Sequence, residues 1–265
     1  MTATVAHHRP SRVRLAISDG RAVTWRNLRG MTRIPEVVMF STIQPLIFVL
    51  TFRYVFGGAI KIPNVRYVDF LMPGVFVQTV AFGAMNTAVG LAEDLRSGML
   101  DRFRSLPIAR SAVLAGRTVA DLMRNVLVVM LMVGVGFLVG FRVHTNALAF
   151  LGGLVILLYF SFALSWVFAL IGLSMPNAEA AQAASFPVLA LLVFASAAFA
   201  PTNTMPGWLR VYTEHQPVSD TAEALRSLVL GGPTTSAVLS ALAWSTGILV
   251  VFVPLAVRSY RRASR

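Results

Sequence analysis

One pair of neighbouring residues in this sequence has the types needed for acid–base chemistry. Glu214 and His215 are adjacent, and a carboxylate beside an imidazole is a combination that general acid–base catalysis uses. At a membrane surface such a pair would suit an enzyme that modifies lipid, such as a transferase. A hydrogen-bonding role for His215 is the simpler interpretation. We therefore keep a membrane-embedded lipid-modifying enzyme as the remote alternative function.

The other residue types that carry chemistry are scarce. The chain has no cysteine, and its four histidines, His7, His8, His144 and His215, do not have the spacing of metal ligands. A P-loop needs a lysine that meets the nucleotide phosphates, but the single lysine, Lys61, lies in no such motif. We therefore expect no metal site and no cofactor in this chain, and we expect that it does not hydrolyse ATP itself.

The composition predicts that these residues are held by membrane-spanning helices. Of the 265 residues, 56% are hydrophobic and 13% are charged, and the mean hydropathy is +0.71. Soluble domains have roughly 25% charged residues. The expected fold class is therefore an all-α integral membrane protein.

Six apolar segments are predicted to cross the membrane, whose hydrocarbon core is about 30 Å thick. The fifth segment is unusually short, and the inner loop before it, residues 177–184, lacks positive charge. The predicted spans cover residues 35–56, 68–91, 119–140, 147–175, 185–200 and 236–257.

The distribution of positive charge predicts the orientation. The segment before the first span holds seven of the 23 Lys and Arg residues, the loop between spans two and three with its flanks holds six, and the C-terminal tail holds four. An even number of spans places all three segments on one side, and positive charge accumulates on the cytoplasmic side. Both termini are therefore predicted to be cytoplasmic. The net charge of +12 reflects this orientation, and we expect no nucleic-acid partner.

The chain is predicted to divide into a cytoplasmic or interfacial segment, residues 1–33, and a transmembrane domain, residues 34–265. In the first segment Trp25 belongs to an apolar stripe at helical spacing that Arg26 and Arg29 flank. This pattern is typical of an amphipathic helix on an anionic lipid surface. A disordered tail that ends in topology-setting charges fits the same residues.

The loop between spans two and three has the pattern of a short amphipathic helix. Ser97 can cap it, Met99, Phe103 and Leu106 recur at i, i+4 and i+7, and Pro107 would end it. A second cap, Ser111, precedes the helix that becomes span three. The result is a rigid cytoplasmic rod attached to two spans, which could transmit a push.

The source of energy is predicted to lie outside the chain. Ion-coupled transport usually needs ionisable groups inside the spans. The acids Glu36, Asp69 and Asp121 lie at or near predicted span edges instead. If the protein transports a substrate, a partner should supply the energy.

The outer segment, residues 201–233, is neither a span nor a simple loop. It is predicted to form one or two half-helices that re-enter the outer leaflet, with Trp208 and Tyr212 as interfacial anchors. In its second part Leu225, Leu228 and Val229 share one face. A plain amphipathic helix on the outer surface is the alternative.

Two stretches carry a resemblance to a known family. The central stretch, Glu-Asp-Leu-Arg-Ser-Gly-Met-Leu-Asp-Arg-Phe-Arg-Ser-Leu-Pro from residue 93 onward, resembles the loop after the second span of ABC-2 permeases, especially the daunorubicin/doxorubicin-resistance type. The outer segment is similar through Met205-Pro-Gly-Trp-Leu209, Glu214-His-Gln-Pro-Val-Ser219 and Ala224-Leu-Arg226. The resemblance covers the chain from about Arg21 onward.

The resemblance implies a six-span exporter subunit of a bacterial cytoplasmic membrane. It would pair with itself or with a related permease and bind two copies of an ABC ATPase subunit, which would hold the ATP and Mg. The substrate would be a hydrophobic drug, antibiotic or lipid, with glycolipid or polysaccharide export as the nearer alternative. The Arg-rich composition also resembles that of a bacterium with high GC content.

The resemblance also implies roles for two sets of residues. Residues near the inner face would enter a cleft of the ATPase, and residues of the outer segment would shape the end of the pathway. The first set is Glu93, Asp94, Arg96, Gly98, Met99, Asp101, Arg102, Phe103, Arg104, Leu106 and Pro107. The second is Pro206, Gly207, Trp208, His215, Gln216 and Pro217.

Overall fold

A computed structural model describes residues 35–57, 62, 65–97 and 110–263 of the chain. Two groups of predicted functional residues lie outside these ranges. The first is the interfacial group Trp25, Arg26 and Arg29. The second is the middle of the coupling loop: Gly98, Met99, Asp101, Arg102, Phe103, Arg104, Leu106 and Pro107.

The described part of the chain is helical and contains no strand, which confirms the all-α prediction. A π-helical turn, Thr51–Phe56, follows the first helix, and a short 3₁₀ turn, Thr202–Thr204, precedes the sixth. The helices are α1 (Pro35–Leu50), α2 (Tyr67–Arg96), α3 (Arg110–Leu138), α4 (Ala147–Ser174), α5 (Ala178–Phe194), α6 (Gly207–Glu214), α7 (Pro217–Leu230) and α8 (Thr234–Ala263).

Four helices within the described ranges are long and apolar enough to cross a membrane: Tyr67–Arg96, Arg117–Leu138, Ala147–Ser174 and Thr234–Arg262. They coincide with predicted spans two, three, four and six. Two shorter apolar helices, Ile43–Val55 and Ala178–Phe194, lie at predicted spans one and five.

Helix α2 is the centre of the bundle. It contacts α1, α3, α4, α5 and α7, and 78% of its apolar window is buried, compared with 11% for α8. Two small residues permit the close packing. A Cβ at Gly172 of α4 would collide with the backbone of Ala88, and a Cβ at Gly74 would collide with the backbone of Ala198. The membrane-facing surface is thus provided by the outer helices, whereas α2 is enclosed by protein.

The predicted boundaries of the fifth span were wrong. The helix covers Ala178–Phe194, so the predicted inner loop 177–184 is helical apart from its first residue. The Asn177 side chain accepts a hydrogen bond from the backbone N–H of Ala180 at 2.7 Å and so caps the helix. With 17 residues, α5 is about 26 Å long, which is shorter than the membrane core.

The central stretch is also more helical than predicted. Helix α2 continues through Arg96, and α3 already begins at Arg110. Ser111 therefore lies inside α3 and is not its cap, which corrects the prediction. The last helix likewise continues to Ala263, six residues beyond the predicted end of its span.

Candidate functional site

The C-terminal end of α2 carries the three predicted coupling residues that the structure describes. Glu93, Asp94 and Arg96 lie in its last turn. The carboxylate of Asp94 forms an ion pair with the Arg117 guanidinium of α3. Arg117 passes over Gly90, where a Cβ would collide with its guanidinium. The two helices that bracket residues 98–109 are therefore joined by one ionic contact.

This ion pair defines the base of the predicted coupling loop. The Asp94 and Arg117 side chains are 29% and 19% exposed, so the pair is only partly screened by solvent. Glu93 and Arg96, in contrast, are exposed.

On the opposite side of the bundle, side chains of the outer segment complete the short helix α5. The last carbonyls of a helix have no partner within the helix, and in a membrane they need one from elsewhere. The Gln216 Nε2 donates to the carbonyls of Leu192 at 3.0 Å and Ala195 at 3.3 Å. The hydroxyl of Thr213 also donates to the Ala195 carbonyl, at 3.1 Å.

Arg226 of α7 extends this set of contacts. Its Nη2 donates to the carbonyls of Ala197 at 2.6 Å and Ala198 at 2.8 Å, and its Nε donates to the Phe70 carbonyl at 3.1 Å. The guanidinium also lies 3.6 Å from the centre of the Phe70 ring, in cation–π geometry. The arginine is 4% exposed. We call Thr213, Gln216 and Arg226 the outer clamp, because they join α6, the start of α7 and α7 itself to the C-terminal end of α5 and the residues after it.

The structure separates the predicted outer-segment residues. Gln216 is buried and belongs to the outer clamp, whereas the Trp208 side chain is 76% exposed. The remaining four mark helix ends: Pro206 and Gly207 begin α6, His215 follows its last residue, and Pro217 begins α7. Two helices thus form where one or two were predicted.

Glu214 and His215 do not form an acid–base pair with each other. The Glu214 Oε1 accepts from Arg210 Nε at 2.7 Å and from Thr202 Oγ1 at 3.3 Å, and the hydrogen bond from Arg210 lowers the pKa of Glu214. A general acid at neutral pH needs a raised carboxyl pKa. The His215 Nδ1 contacts the Val211 carbonyl of its own helix at 2.9 Å. These contacts oppose the alternative of a lipid-modifying enzyme.

A further set of polar residues connects α2 to α3 inside the bundle. The Thr87 hydroxyl donates to Asp121 Oδ2 at 2.7 Å, and Arg124 Nη1 lies 3.5 Å from Asp121 Oδ1. The Arg124 Nη2 also donates to the Gly83 carbonyl at 2.6 Å. Asp121 and Arg124 are 2% and 6% exposed. We call Thr87, Asp121 and Arg124 the inner polar group.

The sequence analysis did not predict the inner polar group or the outer clamp as sites. A usable signal was present, because Asp121 and Arg124 are three residues apart in an apolar helix and therefore lie on one face. Their burial could not be predicted, since it depends on how α2 packs. Gln216 was selected from its motif, but its partners on α5 were not.

The helices and buried polar contacts define this protein as a multi-pass membrane protein. Residues 19–230 match the family described as ABC-2 type transporter. The chain belongs to the ABC-2 type transporter family, as its motifs had suggested.

Similarity to individual proteins agrees with this assignment. The chain is 36% identical to the daunorubicin resistance ABC transporter permease protein DrrB1 of Streptomyces coeruleorubidus, over 98% of this chain and 92% of that protein. It is 29% identical to the probable doxorubicin resistance ABC transporter permease protein DrrC of Mycobacterium tuberculosis, over 95% and 91%. The doxorubicin resistance permease DrrB of the same species is 27% identical, over 83% and 78%.

Proposed function

We propose that this protein is the transmembrane permease subunit of an ABC exporter, which moves a hydrophobic compound such as a drug, antibiotic or lipid out across a bacterial cytoplasmic membrane. A separate ABC ATPase subunit, in two copies, binds ATP with Mg and supplies the energy. The permease works as a dimer, either with itself or with a related permease.

One observation carries the mechanical part of the proposal. The ion pair between Asp94 and Arg117 joins the two helices that bracket residues 98–109. When the ATPase pair closes on ATP, the loop is displaced and both helices move together. Because α2 is the enclosed central helix, its displacement is passed to every helix that packs against it.

The proposed topology has six spans with both termini in the cytoplasm. Helix α1 crosses the membrane together with the π-helical turn that follows it. Helix α5 crosses with its last carbonyls paired to the outer clamp. The outer helices α6 and α7 re-enter the outer leaflet, with Trp208 as an anchor. The satisfied carbonyls at the end of α5 support this arrangement, because an open helix end would be costly at that depth.

The orientation is testable with single cysteines, because the natural chain has none. Ser97→Cys and Asn203→Cys are both at exposed positions. We expect a membrane-impermeant maleimide to label Asn203→Cys in intact cells, and Ser97→Cys only after the membrane is opened. Labelling of Ser97→Cys in intact cells would overturn the proposed topology and the coupling role.

ATPase binding is tested by affinity purification of the chain from its native membranes in mild detergent. We expect a P-loop ATPase to co-purify in equal amount and to hydrolyse ATP. Asp101→Lys with Phe103→Ala, in the predicted coupling loop, should abolish this association without reducing insertion into the membrane. Co-purification of the ATPase at the wild-type yield would contradict the assignment.

A matched control makes the same two chemical changes on the opposite side of the protein. Glu214→Lys with Trp208→Ala also replaces an acid by lysine and an aromatic residue by alanine, at two exposed positions of the outer segment. We expect this variant to retain the ATPase at the wild-type yield. If both double variants lose the ATPase, the effect does not arise from the coupling loop.

A further inference from the structure

A cavity of about 330 Å³ lies between α1, α2 and α3. This volume is at the lower end of the range for small-molecule sites, about 300–1,000 Å³. Its lining combines apolar and hydrogen-bonding side chains from all three helices. The lining residues are Gln44, Pro45, Gln78, Thr79, Phe82, Gly83, Met85, Asn86, Arg124, Asn125 and Val128.

The cavity lies in the middle of the membrane-spanning bundle. At 1.5 Å per residue, Gln78 and Asn86 are about 17 and 29 Å along α2 from Tyr67, in a helix of 30 residues. Gln44 of α1 is exposed at the edge of the lining, so the cavity can be entered from outside the bundle. A ligand that dissolves in the membrane would therefore reach it directly.

The lining contains a buried polar atom that lacks a partner. Gln78 is 1% exposed, and within the described part of the chain no group donates a hydrogen bond to its Oε1. A buried polar atom without a hydrogen bond is costly, by about 1–3 kcal/mol. A ligand hydroxyl that donates to this oxygen would remove that cost.

The lining of the cavity contributes a positive charge. Arg124 is the charged residue of the lining. Its counter-ion Asp121 is not part of the lining and accepts a hydrogen bond from Thr87. An arginine has five N–H groups. In Arg124, one faces the Gly83 carbonyl and one faces the Asp121 carboxylate. Donors therefore remain for a ligand oxygen.

We infer that this cavity is a ligand-binding site of the permease for a drug-sized, oxygen-rich amphipathic molecule that is neutral or anionic and not cationic. A ligand hydroxyl donates to Gln78 Oε1, a carbonyl or carboxylate oxygen accepts from Arg124, and the apolar part packs against Phe82, Met85 and Val128. The inference rests on the proposed function, because it supplies the binding site of the exported substrate class.

The test uses three probes that differ in one substituent, which is neutral, anionic or cationic. They are dihydroxyanthraquinones that carry a hydroxymethyl, a carboxylate or an aminomethyl group on the same ring carbon. Binding to the purified full chain in lipid nanodiscs is followed by the change in probe absorbance and fluorescence, with empty nanodiscs subtracted. We expect the neutral and anionic probes to bind at least about tenfold more tightly than the cationic one, about 1.4 kcal/mol.

Variants of the lining test the site itself. Gln78→Leu should weaken all three probes by about tenfold or more, because each carries the hydroxyls that this residue binds. Arg124→Gln should remove the preference for the neutral and carboxylate probes over the cationic probe. Because this change leaves Asp121 without its counter-ion, Asp121→Asn with Arg124→Gln is measured beside it and should also lose the preference.

A steric variant and a matched control complete the test. Val128→Phe places a ring in the cavity without removing a polar group and should weaken all three probes. Val250→Phe makes the same change at a residue of α8 that is 69% exposed and should leave binding unchanged. Each variant is first checked for its wild-type elution volume in gel filtration.

Three results would overturn the inference: no binding above that of empty nanodiscs, tighter binding of the cationic probe, or equal binding to the Val128→Phe and Val250→Phe variants. The first of these would mean that the cavity does not accept an oxygen-rich aromatic ligand of this size. The measurement uses the permease alone, so it is independent of ATPase co-purification. If the ATPase co-purifies but no probe binds, the binding site is contradicted. If the probes bind but no ATPase co-purifies, the proposed exporter mechanism is contradicted.

Discussion

Two buried arginines show how differently the two sides of this bundle use the same side chain. Arg226 in the outer clamp donates to three backbone carbonyls, stacks on Phe70 and lies 3.6 Å from the exposed carboxylate of Glu223. Arg124 in the inner polar group contacts one carbonyl and one carboxylate and lines a cavity. Both are nearly inaccessible to solvent, and the second lines the cavity between α1, α2 and α3.

The difference concerns what each arginine completes. Arg226 supplies donors to the chain reversal after α5, which would otherwise present carbonyls to an apolar environment. Arg124 is compensated by Asp121 and has donors left over. We conclude that the outer region is built to hold its helices in place, whereas the inner region is built to accept another molecule.

The largest effect is expected for Arg226→Leu. Loss of the guanidinium leaves the carbonyls of Ala197 and Ala198 without this donor, at about 1–3 kcal/mol each. The variant should unfold at a markedly lower temperature or fail to accumulate, as measured by fluorescence-detected gel filtration in detergent. Arg226→Lys keeps the charge but not the planar arrangement of donors and should be intermediate. Wild-type stability of Arg226→Leu would show that the outer clamp does not hold the fold.

A smaller loss, about 3 kcal/mol, is expected for Asp121→Asn, because it leaves Arg124 buried without its counter-ion. The double variant Asp121→Asn with Arg124→Gln removes both charges and should recover most of that loss. The same thermal measurement checks both. If the double variant is as unstable as the two single changes combined, the two residues do not act as a pair, and the contrast with Arg226 fails.

The ion pair at the base of the coupling loop should affect coupling more than stability. Asp94→Asn and Arg117→Gln each remove a partly exposed contact, so the change in unfolding free energy should be below about 1 kcal/mol. In vesicles that contain the permease and its ATPase, transport per ATP hydrolysed should fall for both.

The exchanged pair Asp94→Arg with Arg117→Asp provides the control for this prediction, because it restores an ion pair of opposite direction. We expect it to recover part of the lost transport. Full transport by either single variant would show that the pair does not link the two helices during the cycle.

The smallest effect is expected at Glu214 on the outer surface. The hydrogen bond from Arg210 lowers the pKa of Glu214 in the folded protein, so its stabilising contribution is complete above the ordinary glutamate pKa and disappears as the pH falls through the lowered value. Glu214→Gln should shift the unfolding temperature by no more than about 1 °C at neutral pH, since exposed pairs contribute little. If Glu214→Gln lowers the unfolding temperature by more than about 1 °C at neutral pH but not at acidic pH, Glu214 stabilises the fold more than an exposed pair should.

The sequence predicts the helical segments well because each is a long apolar run. Predicted spans two, three, four and six agree with the helices, apart from their exact ends. The fifth span was misplaced because Ala178–Ala184 has little hydrophobicity of its own, although Asn177 is a good cap. Its helical state could have been predicted from these residues, because Ala, Glu and Gln are good helix formers, but the spans were located by hydrophobicity alone.

The buried polar contacts were harder to predict for a related reason. Asp121 was predicted to lie near the edge of a span. It lies four residues after the start of the apolar part of α3, Arg117–Leu138. Whether it meets lipid headgroups or Thr87 of α2 depends on the rotation of α3 in the bundle. Arg226 had a motif but no assignable partner, since Ala197 and Phe70 are distant in sequence.

The dependence of α5 on the outer clamp also bears on biosynthesis. Gln216 and Arg226 follow residues 178–200 out of the ribosome, so this segment reaches the translocon before these two side chains can pair with its carbonyls. Its final position in the bilayer is therefore fixed only after α7 has been synthesised and has folded back against it. A nascent chain arrested with residues 178–200 outside the ribosome and Arg226 still inside it should hold the segment loosely, and release of the arrest should fix its position.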